Sequence, residues 1–257
     1  MRVAIAVLGG WVQTHAFAKS PIEHYVGTAY DMAGRKLYTE SHWISESLGQ
    51  RELLVVFQCP DGAPFARKHV RETGLPQAPS FDLEDARTGF AEGVRDGGGS
   101  REVFFRSAEG QPEKSAAIDP GRGLVIDAGL DSFIRAHWDG LATGSRQRVD
   151  FLVPSRLRAY PFTLSLMDEA LKDAKPVRRF LLALDTWYAF AVPPIILTYT
   201  TETKTIREYH GLANVRDHNG KSLSVRIDYA APSNANVTDL KSMVEAGAAR
   251  LDGRCIL

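Results

Sequence analysis

Short alternating runs of apolar and polar residues dominate this sequence. Residues 51–59 (RELLVVFQC) place Leu53, Val55 and Phe57 on one face, and residues 37–44 (LYTESHWI) alternate in the same way. A period of two, in segments rich in β-branched and aromatic residues, is typical of strands that bury one face. The pattern therefore predicts a protein that consists mainly of β-strands.

Turn residues divide the rest of the chain into segments of strand length. Clusters of Gly, Pro, Asn and Asp separate them, and Asn219-Gly220 is the strongest hairpin signal among these turns. Further predicted strands are 65–70, 81–87, 102–106, 124–127, 148–153, 160–167, 180–188, 195–200, 205–209 and 223–229. Regular strands without alternating helices favour one large curved antiparallel sheet or an unclosed β-barrel.

One segment has helical periodicity instead. Residues 130–142 (LDSFIRAHWDGLA) repeat their apolar side chains at helical spacing, Phe133 and Trp138 among them. We expect this apolar helix to pack on or in the concave face of the sheet, as a plug or lid, with Phe133 and Trp138 facing the groove. A second, weaker helical pattern covers residues 238–250.

The first eighteen residues have the layout of a secretory signal peptide. Arg2 precedes a ten-residue apolar run at positions 3–12, and the small-residue motif AFA ends at Ala18. The run is too short to span about 30 Å of hydrocarbon as a helix. A buried first strand is the alternative, which the glycine pair inside the run disfavours. We predict cleavage between Ala18 and Lys19 and a periplasmic location.

The net charge and the length of the chain limit the classes of binding partner that we expect. The chain has 257 residues, and its 31 Lys and Arg balance 31 Asp and Glu. A neutral chain has no long-range field that attracts nucleic acid, so we expect no nucleic-acid partner. No apolar stretch after the leader approaches membrane-spanning length. Residues 19–257 are therefore predicted to form a single β-rich domain without a transmembrane segment.

The two cysteines, Cys59 and Cys255, predict one disulfide. An even, small number of cysteines in an oxidising compartment is typical of a bridge, here between an early strand and the C-terminal tail. Two separate thiols are the alternative. Two cysteines without clustered histidines do not indicate a zinc site, and we expect no metal and no cofactor.

Known catalytic motifs do not indicate an enzymatic activity for this sequence. The sequence contains no G-x-S-x-G, H-E-x-x-H, phosphate-binding or dinucleotide-binding motif. His210 and His218 flank a polar stretch, but their separation across a turn is not a recognised ligand spacing. The members of a nucleophilic triad need not be close in sequence, so a hydrolase stays open. We regard a binding protein as a better interpretation of the sequence than an enzyme.

Aromatic residues are the candidates for a ligand groove: Trp43, Phe57, Phe133, Trp138 and Trp187. Aromatic and aliphatic side chains that line a concave sheet hold apolar ligands such as acyl chains. An ordinary hydrophobic core has the same composition, and the sequence does not separate the two interpretations.

The C-terminal strands carry a resemblance to a known family. Residues 195–199 (IILTY), 205–209 (TIREY), 219–221 (NGK) and 225–229 (VRIDY) form a meander that resembles the last strands of periplasmic lipoprotein-carrier proteins. It is equally similar to several uncharacterised periplasmic families. In the carrier superfamily an unclosed antiparallel barrel with a helical lid holds acyl chains in its concave face. The resemblance implies a lipid-handling role without catalysis.

Three functional hypotheses follow. The first is a secreted, periplasmic protein that binds a lipid, or an acylated protein, in a concave groove without catalysis. The second is a cell-envelope structural or assembly protein that binds a protein partner without a ligand cavity. The third is a hydrolase whose site has no sequence signature.

Overall fold

The computed structural model describes residues 22–47, 49–72, 74–97, 100–119, 121, 123–187, 189–230 and 236–257. The predicted signal peptide, with its cleavage point between Ala18 and Lys19, lies outside these residues. The strands are β1 Ile22–Tyr30, β2 Lys36–Ser47, β3 Gln50–Gln58, β4 Pro64–Glu72, β5 Ser80–Asp85, β6 Phe90–Gly97, β7 Ser100–Arg106, β8 Lys114–Ala117, β9 Leu124–Val125, β10 Gln147–Val153, β11 Arg158–Lys172, β12 Lys175–Leu184, β13 Ile195–Thr200, β14 Ile206–Arg216, β15 Ser222–Tyr229 and β16 Asn236–Thr238. The helices are α1 Gly129–Ala136, α2 Trp138–Ala142 and α3 Leu240–Ala248.

These strands form one large, curved, unclosed sheet, so the predicted mainly β architecture is confirmed. Strands β1 to β8 are consecutive antiparallel neighbours, and so are β10 to β15. Strand β15 returns to pair with β1, which joins the two meanders, while β8 and β9 form the two ends of the strand order. The two-residue strand β9 departs from the antiparallel pattern, because it pairs in parallel with β10.

Strand β3 is apolar on both faces because both faces are covered. Val55 and Phe57 point to the concave side of the sheet. Leu54 and Val56 point to the opposite side and pack with Met243 of α3. Burial on two sides explains why the sequence here reads LLVVF, a continuous apolar run in place of strict alternation.

The segment predicted as one helix forms two short helices that meet at His137. Their apolar side, which includes Phe133, Ile134 and Trp138, is buried against β10 to β13. The Trp138 ring meets the Phe180 ring edge-on, with 5.2 Å between their centroids. The pair α1–α2 is thus attached to the inner face of the sheet by its own apolar side.

The second predicted helix is present as α3, and it is shorter than the pattern indicated. The Asp239 carboxylate caps its first turn by accepting a hydrogen bond from the Ser242 backbone N–H at 2.9 Å. Its residue Met243 packs on the outer side of the sheet. Among the described residues, no helix has the length and apolar composition that a membrane crossing requires.

The predicted disulfide between Cys59 and Cys255 is confirmed. The two Cα atoms are 5.7 Å apart, and the bridge joins the turn after β3 to the C-terminal tail. The Gly253 backbone N–H donates to the Pro64 carbonyl at 2.8 Å, which holds the tail against the start of β4. A Cβ at Gly253 would lie 2.6 Å from the Ala63 carbonyl oxygen, so only glycine allows this approach.

Candidate functional site

A cavity of about 560 Å³ lies on the concave side of the sheet. Strands β1 to β4 form one wall, strands β13 to β15 form the other, and β10 and α1 contribute between them. Small-molecule sites in proteins commonly have volumes of about 300–1,000 Å³, and this cavity falls within that range. The meander and its return to β1 therefore enclose a space that can hold a ligand.

One part of the cavity wall is apolar. Its side chains come from strands that are far apart in sequence but face each other across the sheet: Leu53, Val55, Phe57, Phe151, Ile195, Leu197, Ile206 and Ile227. Alternate positions on β3 and β13 reach the cavity because side chains on a strand point to the two faces in turn. This surface is suited to a hydrocarbon chain.

Another part of the wall is polar and aromatic, and we call it the polar corner: Tyr25, Glu40, His42 and Tyr229. The rings of Tyr25 and His42 stack with centroids 4.6 Å apart, and Tyr229 meets Tyr25 edge-on at 6.0 Å. His42 Nε2 lies 3.1 Å from Glu40 Oε2. Burial raises the pKa of Tyr229, and the Glu40 carboxylate raises it further.

A glycine on β1 makes the polar corner possible. Gly27 pairs with Glu40 on β2 and with Tyr229 on β15. A Cβ at this position would lie 2.7 Å from Tyr229 Cε1. Because Gly27 has no side chain, the Tyr229 ring lies directly across β1, and its hydroxyl donates to Glu40 Oε2 at 3.4 Å.

A half-buried ion pair anchors the segment that leads into α1. Lys68 of β4 forms an ion pair with Asp127, two residues before the first residue of the helix. Asn214 of β14 donates to the same Asp127 oxygen from its side-chain amide at 2.6 Å. One carboxylate thus connects the entrance of α1 to both walls of the cavity.

Helix α1 turns its polar side to the cavity. Asp131, Ser132 and Arg135 all line it, and Arg135 Nε donates to Asp131 Oδ2 at 2.9 Å. The opposite side of the helix carries Phe133 and Ile134 into the core. Phe133 and Trp138 therefore lie in the core and outside the cavity lining, where their apolar surface is removed from water against β10 to β13.

One buried polar atom of a cavity-lining side chain, His42 Nδ1, has no hydrogen-bond partner in the described part of the chain. His42 is 8% exposed, and Tyr199 is fully buried. Burial raises the pKa of Tyr199, and the Asp131 carboxylate, which its hydroxyl faces, raises it further. Buried polar groups in proteins are normally satisfied by protein, water or ligand, so His42 Nδ1 marks where a ligand's polar group would bind.

The five aromatic residues predicted to bind ligand have different locations. Phe57 lines the cavity. Phe133 and Trp138 lie in the core beneath α1 and α2. Trp43 lies on the outer face of β2, where its ring is tilted against His24 with 4.6 Å between the centroids. Trp187, in the connection between β12 and β13, is 87% exposed. These four positions are outside the cavity lining.

The tyrosines and acidic residues of the site were missed by the sequence analysis. Tyr25, Glu40 and His42 alternate along their strands in the same pattern as ordinary half-exposed residues, which gives no signal of its own. Their meeting depends on register: Tyr25 pairs with His42, and Gly27 pairs with both Glu40 and Tyr229. To predict the site from the sequence, the alternation within each strand would have to be combined with the correct order of the strands in the sheet.

His210 and His218, whose spacing did not indicate a metal site, lie away from the cavity. His218 is on the turn between β14 and β15, 3.0 Å from the Asn219 amide. Within the described ranges, no group of three or more His, Cys, Asp or Glu side chains is placed to hold a metal ion.

Comparison with known proteins finds partial similarity in fold. No protein-family model and no curated protein matches the chain. A β-barrel-like protein of the domain of unknown function DUF1849 from Brucella abortus is similar at 11% identity with a TM-score of 0.47, over 85% of this chain and 98% of that chain. A DUF1329 family protein from Desulfovibrio piger is similar at 11% identity with a TM-score of 0.32, over 91% and 92% of the two chains. The resemblance to lipoprotein-carrier proteins is not confirmed and stays a prediction.

Proposed function

We propose that this protein binds an amphipathic, lipid-like molecule in the concave cavity without transforming it. The cavity itself carries the proposal, because an apolar wall and a polar corner share one space of about 560 Å³. A hydrocarbon chain would lie on Leu53, Val55 and Ile195, and a polar head would lie near Tyr25 and Tyr199. Burial of the chain supplies affinity, at roughly 25 cal/mol per Å² of apolar surface.

The test is to measure what the protein retains and what it binds. Native mass spectrometry of protein purified from the periplasm, followed by organic extraction, would detect a co-purified amphiphile. Displacement of a fluorescent apolar probe, N-phenyl-1-naphthylamine, by a dodecyl amphiphile then measures affinity. We expect a bound probe that the amphiphile displaces.

A cavity-filling variant locates the site. Ile195→Trp adds bulk to the apolar wall, and we expect it to weaken probe binding by about tenfold or more, since the probe loses its space. Ile256→Trp is the matched control, because Ile256 is 78% exposed near the C-terminus. Retained circular dichroism would show that both variants fold. Equal probe binding by both variants would contradict the proposed site.

Failure to retain or bind any amphiphile would overturn the proposal. The alternative is then a cell-envelope assembly protein that binds a protein partner through its surface. The exposed Trp187 and Phe190, on the connection between β12 and β13, favour that alternative as large aromatic side chains at the surface.

We propose further that the protein is secreted and works in the periplasm. The Cys59–Cys255 disulfide fits an extracellular or periplasmic location, because disulfides persist in oxidising compartments. The N-terminal leader pattern supports the same location. Intact mass measurement of the periplasmic protein tests this proposal: a chain that begins at Lys19 is expected, and a chain that retains residues 1–18 would contradict it.

A further inference from the structure

The charged groups that line the cavity are not balanced in pairs. Three are cations, and each already has a carboxylate partner: Arg51 with Glu72 at 2.6 Å, Lys68 with Asp127, and Arg135 with Asp131 at 2.9 Å. Two further carboxylates, Glu23 and Glu40, also line the cavity. Neither has a Lys or Arg partner in the part of the chain that the structure describes. Among the lining residues, the carboxylates of Glu23, Glu40, Asp127 and Asp131 exceed the three cations by one when His42, the neighbour of Glu40, is neutral.

The pKa of Tyr25 indicates the sign of the electrostatic potential at the polar corner. Burial raises its pKa first, and the carboxylates of Asp131, Glu23 and Glu40 raise it further. Arg51 opposes them, and Arg135 is a second cation that interacts with Tyr25. The charges around this ring thus disfavour an anion and favour a cation in the same space.

The polar corner offers hydrogen-bond acceptors. Glu40 Oε2 lies 3.1 Å from His42 Nε2 and 3.4 Å from the Tyr229 hydroxyl. The neutral tautomer of His42 that donates from Nε2 to Glu40 leaves Nδ1 as an acceptor, and Nδ1 has no partner among the described residues. A group that complements the corner must therefore donate hydrogen bonds.

The aromatic rings of the corner add a second attraction for a cation. Tyr25, His42 and Tyr229 lie together, with the His42 and Tyr229 centroids 5.8 Å apart. Aromatic faces attract ammonium groups, most strongly where water is excluded. Ile227 and Leu53 line the same cavity, so a hydrocarbon chain joined to the head group has apolar neighbours.

We propose that the ligand's head group is a primary ammonium, which the polar corner receives with the Asp131 carboxylate in the same cavity. This inference rests on the proposed function and names the ligand class: a long-chain amine or an amine-headed lipid. A primary ammonium supplies three N–H donors, whereas a quaternary ammonium supplies none.

The experiment compares four amphiphiles with the same chain by isothermal titration calorimetry at pH 7: dodecylammonium, dodecyltrimethylammonium, dodecyl sulfate and dodecyl maltoside. We expect dodecylammonium to bind about tenfold or more tightly than dodecyl sulfate, with dodecyltrimethylammonium between them. Equal affinities for all four would overturn the inference and leave the proposed function intact. Binding of none of them would overturn the proposed function.

Two variants locate the preference. Glu40→Gln keeps the size and hydrogen-bonding capacity of the side chain but removes its charge, and we expect it to lower the preference for dodecylammonium over dodecyl sulfate by about tenfold. Glu23→Gln, at an exposed position, gives the same test if Glu40→Gln does not fold. Glu102→Gln is the charge-matched control, because Glu102 is an exposed residue of β7, and it should leave the preference unchanged. A preference that neither cavity variant changes would contradict this site.

Discussion

At the scale of single residues, the buried charges on the inner face of the sheet distinguish this protein from a plain apolar barrel. Glu92 of β6 is 9% exposed, and burial raises its pKa from the ordinary 4.5 to about 7. Arg216 and Lys68 oppose the shift, while the Asp127 carboxylate adds to it. Glu92 is therefore about half protonated near pH 7, beside the Lys68 and Asp127 charges that hold the entrance to α1.

Glu92 should make the stability depend on pH. The folded protein keeps the Glu92 proton up to a higher pH than the unfolded chain does, so protonation favours folding. This contribution is complete below about pH 4.5 and is lost as the pH rises through about 7. The free energy of unfolding of the wild type should fall between pH 4.5 and pH 8. We expect this fall to be smaller in Glu92→Gln by roughly 2–4 kcal/mol, as urea titrations would measure. An identical pH profile in variant and wild type would show that Glu92 is not the group responsible.

At the scale of elements, α1 is held by two different kinds of contact. Its apolar side packs into the core through Phe133 and Ile134. Its entrance is tied to β4 and β14 through Asp127, which contacts Lys68 and Asn214. Because α1 contributes Asp131 and Arg135 to the cavity wall, the position of this helix determines the shape of the site.

Removal of the Asp127 charge should loosen the start of α1. Asp127→Ala leaves Lys68 buried without a counter-charge, and we expect a loss of about 2 kcal/mol. This is less than a fully buried pair would cost, since the Asp127 side chain is 35% exposed. Hydrogen–deuterium exchange should become faster in α1 than in α3. Asp139→Ala, at an exposed position of α2, is the control, and a similar effect there would argue against the specific anchor.

At the scale of the whole molecule, long-range closures hold an open sheet together. Strand β15 pairs with β1 although about two hundred residues separate them, and the disulfide links positions 196 residues apart. Contacts of such high sequence separation carry a large loop-closure entropy. A cross-link that reduces the conformational entropy of the unfolded chain therefore stabilises this topology in particular.

Loss of the disulfide should destabilise the whole protein. For a separation of 196 residues, chain-entropy reasoning gives a stabilisation of about 5 kcal/mol. We expect the Cys59→Ser, Cys255→Ser double variant to unfold at markedly lower urea than the wild type. The wild type unfolded in the presence of a reductant should match the variant. Unchanged unfolding of both would mean that the bridge contributes little beyond the contacts of the tail.

The sequence by itself determined the local features, because each depends on neighbouring residues. Alternation in residues 51–59 and its equivalents predicts strands, helical spacing in residues 130–142 predicts the segment of α1 and α2, and two cysteines predict one bridge. The mainly β, unclosed sheet follows from the repetition of these signals. Such patterns show which side chains share a face.

Only the tertiary structure decided which face meets the cavity. The apolar side of α1 and α2 packs against β10 to β13, so Phe133 and Trp138 are core residues. The polar corner depends on strand register, since Tyr25, Glu40 and Tyr229 belong to three strands that only β-sheet pairing brings together. Register and strand order arise from contacts distant in sequence, which local patterns do not contain.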